Sequence, residues 1–353
     1  MHAADTNGAP VKLEVAGEIR AGGGKPEVLR PGHAVSIMTG APVPDDADAV
    51  QIVEHTERSA DGRLVTILKS IRLGENIAPL GSEAALGATV IESGRIVGPG
   101  ELAVMATFGY STVKVWQRPR VALLSTGDEL VEVDETPGFG RIRNSNAYSI
   151  GGQLRLMGIE PDYLGIARDD KEDLRVHMAQ GLERDVLILT GGVSMGEYDF
   201  VKEIFEELDL KIHFEKVAMK PGKPTVFARK GNKLVFGLPG NPVSTFISFE
   251  NFVRPALGRL CGLARPDLPR FKGTLLREMK QTPGRTAFLP ARVRWEVDGW
   301  KIDPLRLRGS ADIIGFSRAN AAVIFPADCS SMPCGGVAEI MLLPDFFQRL
   351  QTE

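Results

Sequence analysis

Apolar and polar positions change their rhythm three times along the chain. From Val11 to Leu68, short alternating runs (VKLEVAGEI, HAVSIMTG, DAVQIVEH, LVTILK) are separated by Gly and Pro, which predicts a small, mostly β domain over 6–73. Glycine-rich turns then dominate Gly74 to Gln117, with a helix expected from near Gly100 (GELAVMATFG) and a short strand in STVKVW; Arg118 and Pro119 mark a boundary. Beyond it, strand-like runs alternate with helical ones. RVALLS (120–125), PDYLGIA and DVLILT (185–190) are each followed by a helix, expected at 146–157, 171–182 and 200–208. Two further β runs, PTVFAR and KLVFGL, lead into a long apolar helix from Pro242, a residue suited to a first helical turn. This alternation predicts a doubly wound α/β domain with a parallel sheet over 119–264. After Pro266 to Pro269 only short strand-like runs remain, so a β barrel or sandwich is expected over 265–353.

Length agrees with several domains, since 353 residues exceed what one core ordinarily organises. A net charge of -3 with no basic tail argues against nucleic acid. Apolar runs fall short of the ~20 residues of a membrane-spanning helix, and Met1 is followed by His2 and Asp5, not by a basic and greasy leader. Cys261, Cys329 and Cys334 form no disulfide framework and have no neighbouring histidines for zinc. A cytoplasmic protein is expected.

The polar residues that stand out lie where strands of the α/β domain end, the place where open parallel sheets bind ligands. Strand 120–125 runs into Ser125, Thr126, Gly127, Asp128 and Glu129, and strand 185–190 into Thr190, Gly191, Gly192, Val193, Ser194, Met195 and Gly196. Strand 233–238 runs into Pro239, Gly240, Asn241 and Pro242. Paired glycines let successive backbone N–H groups approach an anion. Asp199, closing TGGVSMGEYD, reads either as a helix N-cap or as a Mg²⁺ anchor beside a phosphate, and both readings stay open. No P-loop lysine precedes the helix. In KVAMKPGKP, Lys216, Lys220 and Lys223 crowd within eight residues. If 214–219 is one strand, Lys216 and Lys220 share a face and the Pro–Gly turn presents Lys223 again, either to gather a polyanion or to guard a sheet edge. Asp170 and Glu83 are further exposed acids, and Thr39 sits in a Gly/Pro-rich turn. No histidine falls in a strand-end loop, so a Ser–His–Asp or Cys–His mechanism is disfavoured, and the available groups suit binding a phosphate-bearing substrate.

In order, IMTGAPVP with DAV (37–50), GENIAPLGSE (74–83), LLSTGDEL (123–130), IRNSNAY (142–148), TGGVSMGEYD (190–199), AMKPGKP (218–224) and GLPGNPVS (237–244) closely resemble the molybdopterin molybdenumtransferases, the MoeA and gephyrin E-domain family. The resemblance implies four parts: the small β domain, a linking or dimerisation domain from 1–5 and 74–118, a molybdopterin-binding α/β domain and a C-terminal β barrel. It implies a Mg²⁺-dependent insertion of molybdate into adenylyl-molybdopterin with release of AMP. By motif, Asp199, Lys216, Lys220 and Glu129 are the implied catalytic residues, and Asp199, Asp170 and Glu83 the metal ligands. Thr39, Thr126, Gly191, Gly192, Ser194, Lys223, Pro239, Gly240, Asn241 and Ser310 of RGSAD are the implied substrate contacts. The family also implies a homodimer whose clefts combine both subunits, with transient contacts to a pterin adenylyltransferase and to recipient molybdoenzymes. Members usually carry a DNSAMDGYA-like segment directly before the counterpart of Ala3–Thr6, so this chain is expected to lack it and to have an incomplete linking domain. Glu83 stands where Asp is common, a reach longer by about one methylene. Two other activities stay open: a binding or scaffold member with impaired catalysis, and a molybdopterin adenylyltransferase.

Overall fold

The computed structural model describes residues 1–23, 28–192 and 200–347. Contacts divide the chain into two units, 1–91 and 92–353. In the first unit a 3-10 turn at Ala3–Thr6 precedes strands β1 (Val11–Ile19), β2 (His33–Ile37), β3 (Thr56–Arg58) and β4 (Leu64–Ile67), ordered β2-β1-β4-β3. Leu13 and Ile67 point inward onto Met1, Ala3, Ala34, Ala49 and Ile71. Thr6 is buried; its hydroxyl donates to Ala3 O (2.7 Å) and accepts from Ile71 N (3.0 Å), which fastens the first residues to the end of the β unit. Residues 1–5 therefore pack into the β core, and the stretch 74–118 is shared, with 74–91 in the first unit and 92–118 in the second.

The second unit opens with helix α1 (Pro99–Thr107), whose Glu101 carboxylate accepts from Gly98 N (3.0 Å) and caps it. None of its residues is buried. The expected strand in STVKVW is not formed: 111–116 is irregular and pairs with no strand among the described residues, and Val113, Val115 and Trp116 stay exposed.

Next come β5 (Val121–Thr126), the short pair β6 (Leu130–Val131) and β7 (Ile142–Arg143), α2 (Ser145–Arg155), β8 (Asp162–Ala167), α3 (Lys171–Gly181), β9 (Val186–Thr190) and α4 (Phe200–Glu207). They are followed by β10 (Lys211–Phe214), β11 (Met219–Lys220), β12 (Val226–Lys230) and β13 (Lys233–Leu238). Among the described residues the main sheet runs β10-β12-β13-β9-β5-β8. Strands β13, β9, β5 and β8 are parallel, as the strand and helix alternation predicts, while β12 joins β13 antiparallel through a tight hairpin and β10 pairs antiparallel with β12. The sheet is thus mixed at one edge, because the two residues between β12 and β13 leave no room for a crossover helix. One face packs on α3 and α4 through Leu124, Leu187, Met178 and Phe205; the other packs on α2 and the last helices through Leu123, Ile188, Ile150 and Phe249. Each fully buried Leu or Ile contributes about 1.5–3 kcal/mol.

The long apolar helix consists of α5 (Pro242–Ser248), a π-helical turn at Phe249–Val253 and α6 (Arg254–Leu260). Pro255 explains the interruption: it has no N–H for the helical ladder, and the widened turn just before it accommodates the missing bond.

Strands β14 (Arg270–Leu275), β15 (Met279–Lys280), β16 (Thr286–Glu296) and β17 (Gly299–Pro304), helix α7 (Ile313–Phe316), and strands β18 (Ala321–Phe325), β19 (Ser331–Met332) and β20 (Val337–Leu342) complete the chain. The order β16-β17-β14-β20-β18 closes by a pairing of β18 with β16, giving a five-stranded barrel around Ala291, Val323, Phe325 and Ile340. Strand β11 pairs in parallel with β16 instead of extending β10. The condition that 214–219 be one strand is therefore not met. After Phe214 the chain leaves one sheet, and at Met219 it enters another, because Thr286 N and Ala218 O (3.1 Å) tie it to the barrel.

Candidate functional site

Three parallel strand tips meet where the sequence places its polar loops. Ser125 of β5 and Leu238 of β13 both face Thr190 of β9 in register. The chain then turns through Gly191 (φ +85°) and Gly192 (φ +51°), and a Cβ there would stand 2.2 Å from Thr126 O and 2.4 Å from Thr126 Oγ1 respectively. Only glycine allows this approach. Gly191 N donates to Leu238 O (3.2 Å), and Gly240 lies against Gly191. Pro239, Gly240 and Asn241 are held by Thr245, whose hydroxyl donates to Pro239 O and to Asn241 O. Thr126, Gly191, Gly192, Pro239, Gly240 and Asn241 thus converge as the sequence indicates.

The acids are arranged less simply. Glu129 is exposed and folds back over Gly127. Asp170 caps α3, accepting from Asp173 N (3.0 Å), an ordinary use of such an acid. Its neighbour Asp169, which the sequence reading passes over, faces Asp128: each carboxylate accepts the other residue's backbone N–H, at 3.4 Å and 3.2 Å. Ser194 and Asp199 lie outside the described residues. Thr39 and Glu83 belong to the first unit, each exposed on an irregular stretch. Among the described residues no group of three or more His, Cys, Asp or Glu side chains could hold a metal ion.

Beyond Asn241 a cavity of about 880 Å³ opens between the lysine turn and the barrel. Lys220, Lys223, Lys280, Arg285, Arg306 and Arg308 line it, with Glu278 as its acid among the described residues. Glu278 is paired with Lys280 (3.0 Å), so the cavity is strongly cationic. Lys216, on the stretch between β10 and β11, does not line it. The lysine turn is fixed from both sides. Gly222 O accepts from Thr225 Oγ1 (2.7 Å), which also bonds Ser248 of α5 (2.9 Å), while Arg285 Nη1 reaches Met219 O (3.5 Å). Ser310 lies in the cavity wall; its carbonyl accepts from Val243 N at the start of α5 (3.0 Å). The Ser310 loop is shaped by Asp312, whose carboxylate takes the N–H groups of Arg308 (3.1 Å) and Gly315 (2.9 Å), bonds that hold it below the usual carboxylate range.

Sequence reasoning missed Lys280, Arg285, Arg306 and Arg308. Arg306 and Arg308 were detectable, since LRLRGS leads directly to Ser310 with cations two apart on one strand-like face. Arg285 follows a Pro–Gly turn in a run that reads as plain barrel strand, and only the parallel pairing of β11 with β16 brings it to the lysines.

Known proteins share this order of regions. Three family models match in order: the MoeA N-terminal region (domain I and II) over 1–109, the probable molybdopterin binding domain over 122–259 and the MoeA C-terminal region (domain IV) over 272–343. The molybdopterin molybdenumtransferase of Staphylococcus aureus (strain Mu50) is 34% identical, with 94% of this chain and 79% of the relative aligned. That of Bacillus subtilis (strain 168) is 34% identical over 95% of this chain and 78% of its own length. The crystal structure of a molybdopterin biosynthesis MoeA protein from Pyrococcus horikoshii superposes with a TM-score of 0.78 at 31% identity, covering 97% of this chain and 85% of that one. With the N-terminal, central and C-terminal regions all matched in order by one set of relatives, the chain belongs to the molybdopterin molybdenumtransferase (MoeA) family.

Proposed function

We propose that this chain is a molybdopterin molybdenumtransferase acting in molybdenum cofactor biosynthesis, as its relatives are named, and that it inserts molybdate into adenylyl-molybdopterin with release of AMP. One observation carries the reading: a cavity of about 880 Å³ lined by six cationic side chains adjoins strand tips where Gly191 and Gly192 bring the backbone close against Thr126. A tetrahedral oxyanion and a phosphoanhydride both need charge-assisted donors. Arg285, Arg306 and Arg308 supply planar forks, Lys220 and Lys223 compact charges. Molybdate is assigned to this cavity and the adenylyl phosphates to Thr126, Gly191, Gly192 and Asn241.

Mg²⁺ fits the oxygen-rich acids beside the tips, because this ion takes one or two carboxylates and completes its shell with substrate phosphates and water. Asp169 and Asp128 each keep a carboxylate oxygen free of the bonds described above, and Asp170 and Asp199 are the ligands the family pattern adds. When bound, the ion would neutralise charge developing on the phosphate oxygens. A homodimer is supported by the apolar side chains exposed over a short stretch of the second unit: Ile96, Leu102, Phe108, Tyr110, Val115 and Trp116. No helix among the described residues is long and apolar enough to cross a membrane. The three cysteines are free thiols, in keeping with the reducing cytoplasm.

The test is AMP release from adenylyl-molybdopterin with molybdate and Mg²⁺. Lys220→Ala and Arg285→Ala are each expected to slow it about 100-fold, or about 2.7 kcal/mol, with melting temperatures near that of the unmodified protein. Undiminished turnover in both variants, or ATP consumption with free molybdopterin, would overturn the assignment.

A further inference from the structure

The motif IRNSNAY is prominent in the sequence, yet the site described above gives it no task. Its two asparagines reach all three strand tips. Asn144 is 2% exposed and donates from Nδ2 to Ser125 Oγ (2.9 Å) and to Tyr163 Oη (2.8 Å). Ser125 returns a bond to Asn144 Oδ1 (3.2 Å) and receives one from Thr190 Oγ1 (3.3 Å). The Tyr163 hydroxyl in turn donates to Glu132 Oε1 (2.8 Å) on the loop between β6 and β7. Two residues along, Asn146 donates from Nδ2 to Gly240 O (2.7 Å) at the end of β13.

We infer that Asn144 and Asn146 are positioning residues, a clamp that holds the ends of β5, β9 and β13 at the spacing the substrate phosphates require. The inference rests on the functional reading above. Physically, Ser125, Thr190 and Asn144 are all buried, so their bonds are made away from competing water and each has a fixed partner. The polarity of the chain is also fixed. Glu132 can only accept while ionised, so Tyr163 must donate to it and must accept from Asn144.

That polarity distinguishes a clamp from a helix cap. Asn144 Oδ1 also caps α2, accepting from Ala147 N (3.3 Å), and Asp is as good a cap as Asn. If capping were its whole role, Asn144→Asp would be silent. In the clamp, Asn144→Asp puts two acceptors on one Tyr163 proton. Adding Glu132→Gln restores the chain with its direction reversed: the new amide at position 132 donates to the Tyr163 hydroxyl, which then donates to the new carboxylate at position 144.

The experiment measures kcat and KM for AMP release together with amide hydrogen exchange at Gly127 and Gly191, with the Val293 amide of the barrel as reference. Asn144→Asp is expected to lower kcat at least tenfold with KM within threefold, and to speed exchange at Gly191 at least tenfold while Val293 is unchanged. Glu132→Gln with Asn144→Asp should return both readings to within threefold of the parent. Asn146→Ala should speed exchange at Gly191 without lowering protection in α2. Unchanged exchange in Asn144→Asp, or a double variant no better than the single, overturns the clamp whatever the turnover. A parent protein that releases no AMP overturns the functional reading instead, and exchange, which needs no substrate, then decides on the clamp alone.

Discussion

A single methyl group at Gly191 probes the closest approach in the site. In Gly191→Ala the new Cβ would begin 2.2 Å from Thr126 O, so the tips of β5 and β9 must part by about 1 Å to reach an ordinary contact. The backbone also sits at φ +85°, a conformation that costs an L-residue roughly 1–2 kcal/mol. Overpacking adds about 1–3 kcal/mol. A total near 3 kcal/mol lowers the melting temperature by roughly 6–12 °C, at about 2–4 °C per kcal/mol for a body of this size. Activity should suffer more, because displacing bound phosphates by about 1 Å costs on the order of 100-fold. Gly231→Ala separates the two causes: it shares the positive φ (+56°) but meets nothing within 4 Å, so it should lose only the conformational share and keep full turnover. Thermal unfolding and AMP release of both variants are the measurements. Gly191→Ala within 2 °C and threefold of the parent, or a Gly231→Ala variant equally impaired in turnover, would refute the reasoning.

Substitutions at two other places test the supports. Glu250, fully buried in the π-helical turn, bonds Arg254 and accepts from Gln153 Nε2 (2.6 Å), and its burial pushes its carboxyl above the ordinary value despite the guanidinium. Glu250→Gln strands Arg254 and should cost about 3–5 kcal/mol in urea unfolding, whereas Glu250→Leu with Arg254→Met should recover most of it; equal loss in both would contradict a pairing role. Gly222→Ala, at φ +109°, would bring a Cβ within 2.6 Å of Ser248 Oγ and should shift the lysine turn, weakening molybdate binding by calorimetry about tenfold; unchanged affinity would mean the turn does not set the cavity.

Period and turn chemistry were enough to locate β5, β8, β9 and β13 and the helices between them; β5 and β9 in particular are buried on both faces and so read as continuous apolar runs. The polar tips followed, since a strand-end loop rich in Gly and Thr has a place fixed by the strand before it. What the sequence could not show depends on pairings far apart in the chain. An extended stretch over 214–219 would set Lys216 and Lys220 on one face, yet β11 is claimed by β16, more than sixty residues later, and that choice moves Lys216 out of the cavity and Arg285 into it. The exposed stretch 111–116 misleads in the opposite way: Val113, Val115 and Trp116 have strand propensity and spacing, but no strand among the described residues pairs with them. Asn144, to which the sequence reading assigns no role, shows the same limit. Its position before a helix suggests a cap, and only the folded register of β5 and β8 reveals Ser125 and Tyr163 beside it.

The placement of charge explains why the site lies at a seam and not within either domain. An α/β sheet alone offers at its tips short side chains and backbone N–H groups, which suit a phosphate ester but concentrate little positive charge. The barrel alone carries Arg285, Arg306 and Arg308 on a surface where water would screen them. Crossing from one sheet to the other between Phe214 and Met219 lets a single turn serve both: Lys220 pairs into the barrel sheet, Thr225 anchors the same turn to α5, and the cationic wall faces the tips across Asn241. Like charges so gathered repel one another, which is tolerable only because several backbone bonds hold the turn and the Ser310 loop in place before any ligand arrives. In the proposed reaction, donors fixed in advance cost little reorganisation when negative charge develops on a leaving phosphate, and this preorganisation is what the two domains would supply together.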